Sequence, residues 1–479
     1  MVIFSFERTI SLKKVWWRWR GGSPVPIPNT EVKHRSGEDI RKDKIASRRA
    51  FLFIVINNCH IIVELGGQIM NINVIRLRSG LFKKETDAIK ENDNFLEEIN
   101  NELMNDDITL IENCSNASYS IIFVESGGSE TEFLKVLPEL SEPIILLSNG
   151  KNNSLPACLE IKTYCAQKKK VALLFTGDEA QIADAIKDTS TVINAYNSLL
   201  GQNLGVIGKP SDWLIASQVD YQLVKDKFGL NLIDISMEEF FAEIDKQEMV
   251  EIPHFKTLQA RFKDKQVLDG ALYIYSALKR LINKYQLSGL TVRCFDLLGK
   301  YKNTSCLAFG LLNEEGITAT CEGDVPSLLT MHILRSLTGL PSFQANPSNV
   351  NFKDNTILFA HCTLPLNMCD KYELTTHFES GLGIGIKGDM PLGKVTIAKI
   401  TPDLKSDTAV GFTGTIKQNL SLKNYCRTQI VIEPDESGII SLFKDDFGNH
   451  LIITYADCLP SYFTLLNLFE KKYEKKDKE

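Results

Sequence analysis

Short apolar runs alternate with longer charged segments from residue 70 to about residue 345. The run "MNINVIRL" begins at Met70, and "YSIIFVES" and "EPIILLSN" repeat its pattern, with segments of helical period between them. A second series begins at "KKKVALLFTGDE", continues through "QNLGVIGKP" and "LNLIDIS", includes an amphipathic stretch from about 255 to 285, and offers "GLTVRCFDLL" as another strand. Strands that alternate with helices favour parallel sheets. The pattern therefore predicts two tandem α/β domains, at residues 70–168 and 169–345.

The pattern changes from about residue 346 onward. Short β-rich runs such as "NTILFAHCTLP", "GKVTIAKITPDL", "TQIVIEP" and "NHLIITYAD" are separated by Gly and Pro. This sequence pattern is typical of antiparallel strands joined by turns. It predicts a β-rich C-terminal domain at 346–479, which ends in a solvated and frayed charge run, "EKKYEKKDKE".

Residues 1–69 differ in composition from the rest of the chain. They hold 12 Lys and Arg against 6 Asp and Glu, so residues 70–479 carry a net charge of −12 within the total of −6. Their longest apolar run, Ala50–Ile56, is far shorter than the roughly 20 residues that span a bilayer. Two glycines precede Met70 at a spacing whose codons suit a bacterial ribosome-binding site. We therefore expect translation to begin at Met70, with 1–69 a non-native or disordered extension.

The overall composition is that of a soluble globular protein. The chain is 43% hydrophobic and 24% charged, and its net charge is −6. This balance does not indicate nucleic acid or membrane as a partner. The eleven cysteines are scattered without a C-x-x-C pair, which favours reduced, mostly buried thiols and a cytoplasmic protein.

Two carboxylates flank a glycine in "TCEGDVPSLLTM". Glu322 ends the apparent strand "GITATC", just before a helix that begins near Pro326, and α/β folds open their ligand crevice at this edge. No capping role requires Glu322, so its position favours a functional role. Asp324 precedes Pro326, which favours a helix N-cap; the alternative is a second catalytic carboxylate.

Histidine is scarce after Met70, and two histidines lie at the ends of predicted strands. His361 ends the apolar run "ILFA", and His450 lies between an expected turn and a strand in "FGNHLIITY". These two side chains can point into a common crevice, whereas His332, in the helix after Glu322, is interpreted as structural. Carboxylate and imidazole groups that converge from separate elements are typical of divalent metal sites.

Seven motifs occur in order along the chain: "GKPSDWLIAS", "VRCFDLL", "LLNEEGITATCEGDVPSLLTMHIL", "LTGLPSFQANPS", "ILFAHCTLP", "THFESGLGIGIKG" and "FGNHLIITYAD". Together they resemble the L-fucose isomerase family, which is related to the bacterial L-arabinose isomerases. The resemblance covers nearly everything from Met70 to about Phe469. It implies two Rossmann-like α/β domains followed by a β-rich domain. It also implies a homo-oligomer, a hexamer or trimer, whose active sites are completed by a neighbouring subunit.

The resemblance further implies a manganese-type site in which a glutamate, an aspartate and a histidine hold the metal. Glu322 matches the glutamate and His450 the histidine, and the two carboxylates would also move protons. Asn449, beside His450, and His361 are expected to contact the substrate. Arg76, which with Arg78 follows the first strand, matches an arginine that reaches into the pocket of an adjacent subunit.

The position that matches the family's aspartate is Asn346. Asparagine can offer a carbonyl oxygen to a metal, but it cannot act as a base near neutral pH. Three explanations remain open: a shifted alignment, a second base supplied by Asp324 or Glu379, or a protein that binds sugar without isomerising it. The sequence favours a metal-dependent aldose–ketose isomerase for an L-fucose-like or D-arabinose-like sugar. The alternative is a weak or inactive sugar-binding homologue that acts as a sensor or accessory protein.

Overall fold

The computed structural model describes residues 70–80, 86–435 and 438–476, together with the backbone of four short strands before residue 66. The chain divides into two compact units, 1–68 and 69–479. In the first unit, β1 (Trp17–Arg18) pairs antiparallel with β2 (Val25–Pro26), and β3 (Ala50–Ile56) pairs antiparallel with β4 (Cys59–Leu65). The remainder of the expected extension lies outside the described residues.

The first parallel sheet of the second unit contains five strands: β5 (Met70–Leu77), β6 (Ile108–Glu112), β7 (Tyr119–Val124), β8 (Ile144–Leu147) and β9 (Ala172–Phe175). Their order is β6-β5-β7-β8-β9, and all neighbours are parallel. Apolar side chains of α1 (Thr86–Leu103) and α4 (Glu179–Leu199) cover one face. Those of α2 (Glu130–Val136) and α3 (Ser154–Gln167) cover the other. Burial on both faces explains why β8 is wholly apolar.

The strand β9 belongs to a different sheet from the one that the sequence pattern predicts. The pattern assigned "KKKVALLF" to the second series, but Ala172–Phe175 pairs with Ile144–Leu147 as the last strand of the first sheet. That assignment is therefore wrong for this strand, because a parallel edge strand looks the same locally whichever sheet it joins. The domain boundaries themselves stay a prediction.

The second parallel sheet contains β10 (Asn203–Ile207), β11 (Asn231–Ile235), β12 (Leu287–Val292) and β13 (Thr318–Cys321), in the order β11-β10-β12-β13. Its helices are α5 (Tyr221–Phe228), α6 (Met237–Asp245), α7 (Phe255–Arg261), α8 (Lys265–Tyr285), α9 (Asp296–Tyr301), α10 (Cys306–Glu314) and α11 (Val325–Thr338).

The structure refines two local expectations for this second sheet. The amphipathic stretch 255–285, whose number of helices the sequence did not specify, forms two helices, because the side chain of Asp264 caps α8 by accepting from the Val267 N–H. The strand predicted in "GLTVRCFDLL" ends at Val292, and Asp296 already begins α9.

The C-terminal region is built on a closed antiparallel barrel. Its six strands are β14 (Phe343–Asn351), β15 (Thr356–His361), β18 (Gly393–Lys399), β19 (Val410–Asn419), β20 (Thr428–Pro434) and β21 (Leu451–Thr454), and β16 (Lys371–Thr375) pairs separately with β17 (Gly385–Asp389). Two helices, α12 (Gly438–Lys444) and α13 (Leu459–Lys476), complete this region. The charged tail was predicted to fray, but it is helical as far as Lys476. No helix among the described residues is long and apolar enough to cross a bilayer.

One hydrophobic core joins the second sheet to the barrel. It contains Leu290 of β12 and Leu311 of α10 together with Phe359 of β15 and Ile453 of β21, all fully buried. Each such side chain contributes about 1.5–3 kcal/mol through burial. This packing places the carboxyl edge of β13 against the barrel, and the predicted combination of parallel α/β sheets with a β-rich C-terminal region is confirmed.

Candidate active site

Glu322 lies at the carboxyl edge of the second sheet in a left-handed backbone conformation. Its φ is 66°, and that of Gly323 is 70°. A Cβ on residue 323 would lie 2.2 Å from the Lys209 carbonyl oxygen, so only glycine fits there. A glutamate in this region costs on the order of 1 kcal/mol, and such outliers concentrate at functional sites. The Ser211 N–H donates to the Glu322 carbonyl at 2.8 Å and fixes this turn.

Glu322 is 7% exposed, and its carboxylate faces three nitrogen groups. The Trp213 indole N–H donates to Oε2 at 2.7 Å, while Oε1 lies 3.7 Å from His450 Nε2 and 3.9 Å from His361 Nε2. Burial opposes ionisation, but His450, His361 and the indole N–H outweigh it and lower the pKa of Glu322 to about 2. The group is therefore a carboxylate throughout the physiological range.

Asp324 fixes the orientation of the His450 ring by contacting its Nδ1 atom. Its Nδ1 lies 2.7 Å from Asp324 Oδ2, and both residues are fully buried. The same carboxylate caps α11 by accepting from the Ser327 N–H at 2.9 Å, and it pairs with Lys399 Nζ at 3.0 Å. The predicted cap is thus confirmed. The oxygens of Asp324 already have three partners, so the geometry favours a positioning role over that of a proton-moving base.

His450 presents Nε2 to Glu322, and this nitrogen has no hydrogen-bond partner among the described residues. Burial disfavours its charge, but Asp324 and Glu322 outweigh burial and raise its pKa to about 9. A carboxylate that fixes one imidazole nitrogen while the other faces a ligand is the usual outer arrangement of metal-bound histidine.

His361 joins this group from the end of β15. Its ring centroid lies 5.3 Å from that of His450, and its Nδ1 lies 2.9 Å from the Thr363 hydroxyl. Burial, and then the charge of His450, lower its pKa to about 3, so the imidazole is neutral at pH 7. The two histidines that were expected to point into a common crevice therefore lie side by side.

Asn346 lies in β14 beside the strand that follows His450, since Ala345 pairs with Leu451. Its Oδ1 is buried and has no hydrogen-bond partner within the described part of the chain. Two ligands bonded at about 2.1 Å to one ion lie roughly 3–4 Å apart, and the 3.7 Å between Glu322 Oε1 and His450 Nε2 falls in that range. The carboxylate of Glu322 and Nε2 of His450 therefore fit two ligand positions of a divalent cation, and the buried Oδ1 of Asn346 is a further candidate ligand.

Cys321 belongs to a further group of potential metal ligands, which the sequence did not indicate. Its Sγ, a Glu322 carboxylate oxygen and a His361 ring nitrogen all lie within 4.8 Å of one another. The Sγ also lies 2.9 Å from Cys294 Sγ. The sequence interpretation treated both cysteines as buried structural thiols, because neither belongs to a spaced metal motif.

Two of the residues expected to bind substrate lie apart from this buried group. Asn449 is exposed, in the turn before β21. Arg76 is at the end of β5 in the first sheet, where it pairs with Glu125, Asp93 and Glu112. None of the described contacts joins Arg76 to Glu322 within a single chain.

An aromatic row beside Glu322 was not assigned by sequence reasoning. Trp213 packs edge-on against Phe295 with centroids 4.7 Å apart, and Phe295 packs edge-on against His377 at 5.4 Å. Trp213 is 52% exposed although its indole holds a buried carboxylate. The sequence feature that could have indicated a functional role is that Trp213 is the single tryptophan after residue 19.

The chain resembles three curated proteins over part of its length, and no protein-family model matches it. A sulfoquinovose isomerase from Clostridium sp. (strain MSTE9) is 25% identical over 220 residues, which is 43% of this chain and 48% of that protein. Sulfoquinovose isomerases from Priestia aryabhattai and Priestia megaterium (strain ATCC 12872 / QMB1551) are each 22% identical over 240 residues, 47% of this chain and 54% of each relative. The chain spans about half the length of the curated relatives it matches, so these proteins are distant homologues.

Proposed function

We propose that this protein is a metal-dependent aldose–ketose isomerase that acts on a free monosaccharide. The observation that carries the proposal is the buried Glu322 carboxylate, which faces two imidazole nitrogens at 3.7 and 3.9 Å at the carboxyl edge of a parallel sheet. The sugar-isomerase names of the distant homologues support the same reaction class.

Glu322 is the residue to which we assign proton transfer. Isomerisation through a cis-enediol removes a proton from C2 of the open-chain aldose and delivers a proton to C1, while the O2 hydroxyl loses a proton and O1 gains one, so it needs a base within reach of both carbons. The indole of Trp213 holds Oε2, which leaves Oε1 on the side of the histidines. A divalent cation such as Mn²⁺, held by Glu322, His450 and Asn346, would supply Lewis-acid polarisation of the sugar oxygens.

The second acid or base is assigned to Glu379. Asn346 cannot move a proton, and the carboxylate of Asp324 is committed to Lys399 and His450. Glu379 lies in the loop after β16, where desolvation and then the charge of Glu322 raise its pKa. A carboxyl group whose pKa is raised toward neutrality is better suited to donate and accept protons near pH 7. Glu379→Gln should lower kcat without weakening metal binding, whereas the exposed control Glu373→Gln should change neither.

The substrate class remains part of the proposal. The motif resemblance favours an L-fucose-like or D-arabinose-like sugar, and the curated relatives are named for sulfoquinovose. The four sugars to compare are therefore L-fucose, D-arabinose, L-arabinose and sulfoquinovose, each with the protein loaded with Mn²⁺.

We extend the proposal to a cytoplasmic homo-oligomer, a hexamer or trimer, whose sites are shared between subunits. Arg76 Nη2 is buried and has no hydrogen-bond partner among the described residues. A cavity of about 570 Å³ lies beside this residue and Arg78. Light scattering will give the oligomeric state, and mixed oligomers of Arg76→Ala and Glu322→Gln subunits should regain activity if Arg76 acts across an interface.

The deciding experiment follows ketose formation by NMR in D₂O. Proton transfer through a base predicts solvent deuterium in the product, together with loss of turnover in Glu322→Gln and after chelation. Absence of turnover on all four sugars, from folded and metal-loaded protein, would contradict the proposal. In that case, sugar-dependent thermal stabilisation that persists in Glu322→Gln would identify a sugar-binding protein.

A further inference from the structure

Cys321 lies directly before Glu322, at the end of β13, and contributes to a group of ligand atoms that excludes His450. Its Sγ, a Glu322 oxygen and a His361 nitrogen are mutually within 4.8 Å. We infer that Cys321, Glu322 and His361 form a second cation site, which overlaps the first and takes a thiophilic divalent cation such as Zn²⁺ or Cd²⁺. The binding itself does not depend on isomerase activity.

Cys294 lies next to this thiol site and contacts one of its ligands, Cys321. It follows β12, which pairs with β13 so that Val292 lies opposite Cys321, and its Sγ is 2.9 Å from Cys321 Sγ. A sulfur, an imidazole nitrogen and a carboxylate oxygen make up a three-ligand set of the kind that Zn²⁺ binds, with water in the fourth position. All three ligand side chains are at least nine-tenths buried, so bulk water competes poorly for the ion.

The ligand chemistry separates the two sites although both use Glu322. Thiolates select soft or borderline ions such as Zn²⁺ and Cd²⁺, whereas carboxylate, amide and water oxygens suit Mn²⁺. Binding at the thiol site replaces the Cys321 S–H proton by the ion, and the proton leaves to solvent. Because the Glu322 carboxylate cannot coordinate both ions fully, binding of Zn²⁺ at the thiol site should displace Mn²⁺ and prevent Glu322 from transferring protons.

X-ray absorption at the zinc edge tests the site on the full chain loaded with one equivalent of Zn²⁺. We expect sulfur in the first shell at about 2.3 Å. Cys321→Ser should lose sulfur scattering and weaken Zn²⁺ binding by at least about tenfold, while Cys158→Ser, which changes a buried thiol in α3, should change neither. A first shell of oxygen and nitrogen only in the wild type, or an unchanged spectrum in Cys321→Ser, would overturn the inference.

Two further measurements keep the test decisive if Cys321→Ser does not fold. The EPR signal of free Mn²⁺ should rise when Zn²⁺ is added to Mn²⁺-loaded wild type, and no rise would contradict the shared ligand. His450→Gln should lose Mn²⁺ but keep the zinc–sulfur signal, and loss of that signal would place Zn²⁺ at the first site instead. Failure of sugar turnover leaves both readouts intact, so this inference and the proposed isomerase activity fail separately.

Discussion

Two glutamates lie at equivalent places in the two parallel sheets but have different partners. Glu125 directly follows β7, and Glu322 directly follows β13. The turns are fixed alike, since the Glu125 N–H donates to the last residue of β5 and the Gly323 N–H to the last residue of β12. Both carboxylates are buried.

The partners distinguish a carboxylate held in a structural ion pair from one that is a candidate for chemistry. Glu125 accepts from the guanidinium groups of Arg76 and Arg78, whose charge is permanent. Glu322 faces two imidazoles and an indole, and an imidazole can give up its proton to make room for a metal ion. A strand-end carboxylate therefore becomes a candidate site only when its partners can change protonation or ligand.

Glu322→Gln should have the largest effect on the reactive side of this comparison. The amide can still accept from Trp213, so the fold should persist, but it cannot move a proton. We expect kcat to fall by about 10³-fold or more, measured as ketose formation at saturating Mn²⁺. Glu373→Gln is the exposed control, and residual activity within tenfold of wild type would remove Glu322 from the chemistry.

Asp324→Asn, which changes the residue that positions His450, should cause the largest loss of unfolding free energy. Asparagine caps a helix about as well as aspartate, so the change removes only the negative charge that faces the buried Lys399 and His450. We expect about 3–5 kcal/mol less unfolding free energy, measured by denaturant titration. The double variant Asp324→Asn with Lys399→Met should recover much of the loss, and no recovery would mean that this ion pair is not the cause.

Glu125→Gln should destabilise the first sheet without affecting metal binding. Two arginines lose a fully buried carboxylate, although Arg76 keeps Asp93 and Glu112. Because Arg78 is partly exposed, we expect about 2–3 kcal/mol, compared with less than about 0.5 kcal/mol for Glu132→Gln, which breaks a surface pair. A loss of Mn²⁺ affinity in folded Glu125→Gln would show that the two carboxylates are coupled.

The stability of the metal-free protein should depend on the charge of His450. Its folded-state pKa of about 9 is raised from the ordinary value near 6.5, so its contribution is complete below about 6.5 and is lost as pH rises through 9. We expect about 3 kcal/mol from this group, obtained as the difference between wild type and His450→Gln at several pH values in chelator. A difference that stays constant from pH 6 to 9.5 would contradict the assigned charge.

Asn346→Asp should give the smallest change and make the candidate site more like the expected family pattern. A second carboxylate adds negative charge, so Mn²⁺ should bind about tenfold more tightly in a calorimetric titration. The exposed control Asn355→Asp, in the turn after β14, should leave the affinity unchanged. Equal or weaker Mn²⁺ binding by Asn346→Asp would exclude Asn346 from the ligand set.

Local features of the fold were predictable because their causes are local. The strand "MNINVIRL" and the helix that Asp324 caps match the structure. The start of α8 at Asp264 and the sheet to which β9 belongs were not predictable from the local sequence. The first depends on the geometry of a capping hydrogen bond, and the second depends on which of the two sheets the strand joins. The roles of Glu322, Asn346 and His450 stay predictions, although the packing brings Glu322 and His450 together.

The sequence alone determined that strands alternate with helices before a β-rich region, that Asp324 starts a helix, and which residue types are available for chemistry. Only the tertiary structure decided their partners, because packing of the second sheet against the barrel brings His450 to Asp324 across 126 residues. The same packing gives Glu322 two imidazoles and a neighbouring thiol, whereas Glu125 receives two arginines. Periodicity is a short-range property of the chain, but a carboxylate's electrostatic surroundings are set by residues distant in sequence.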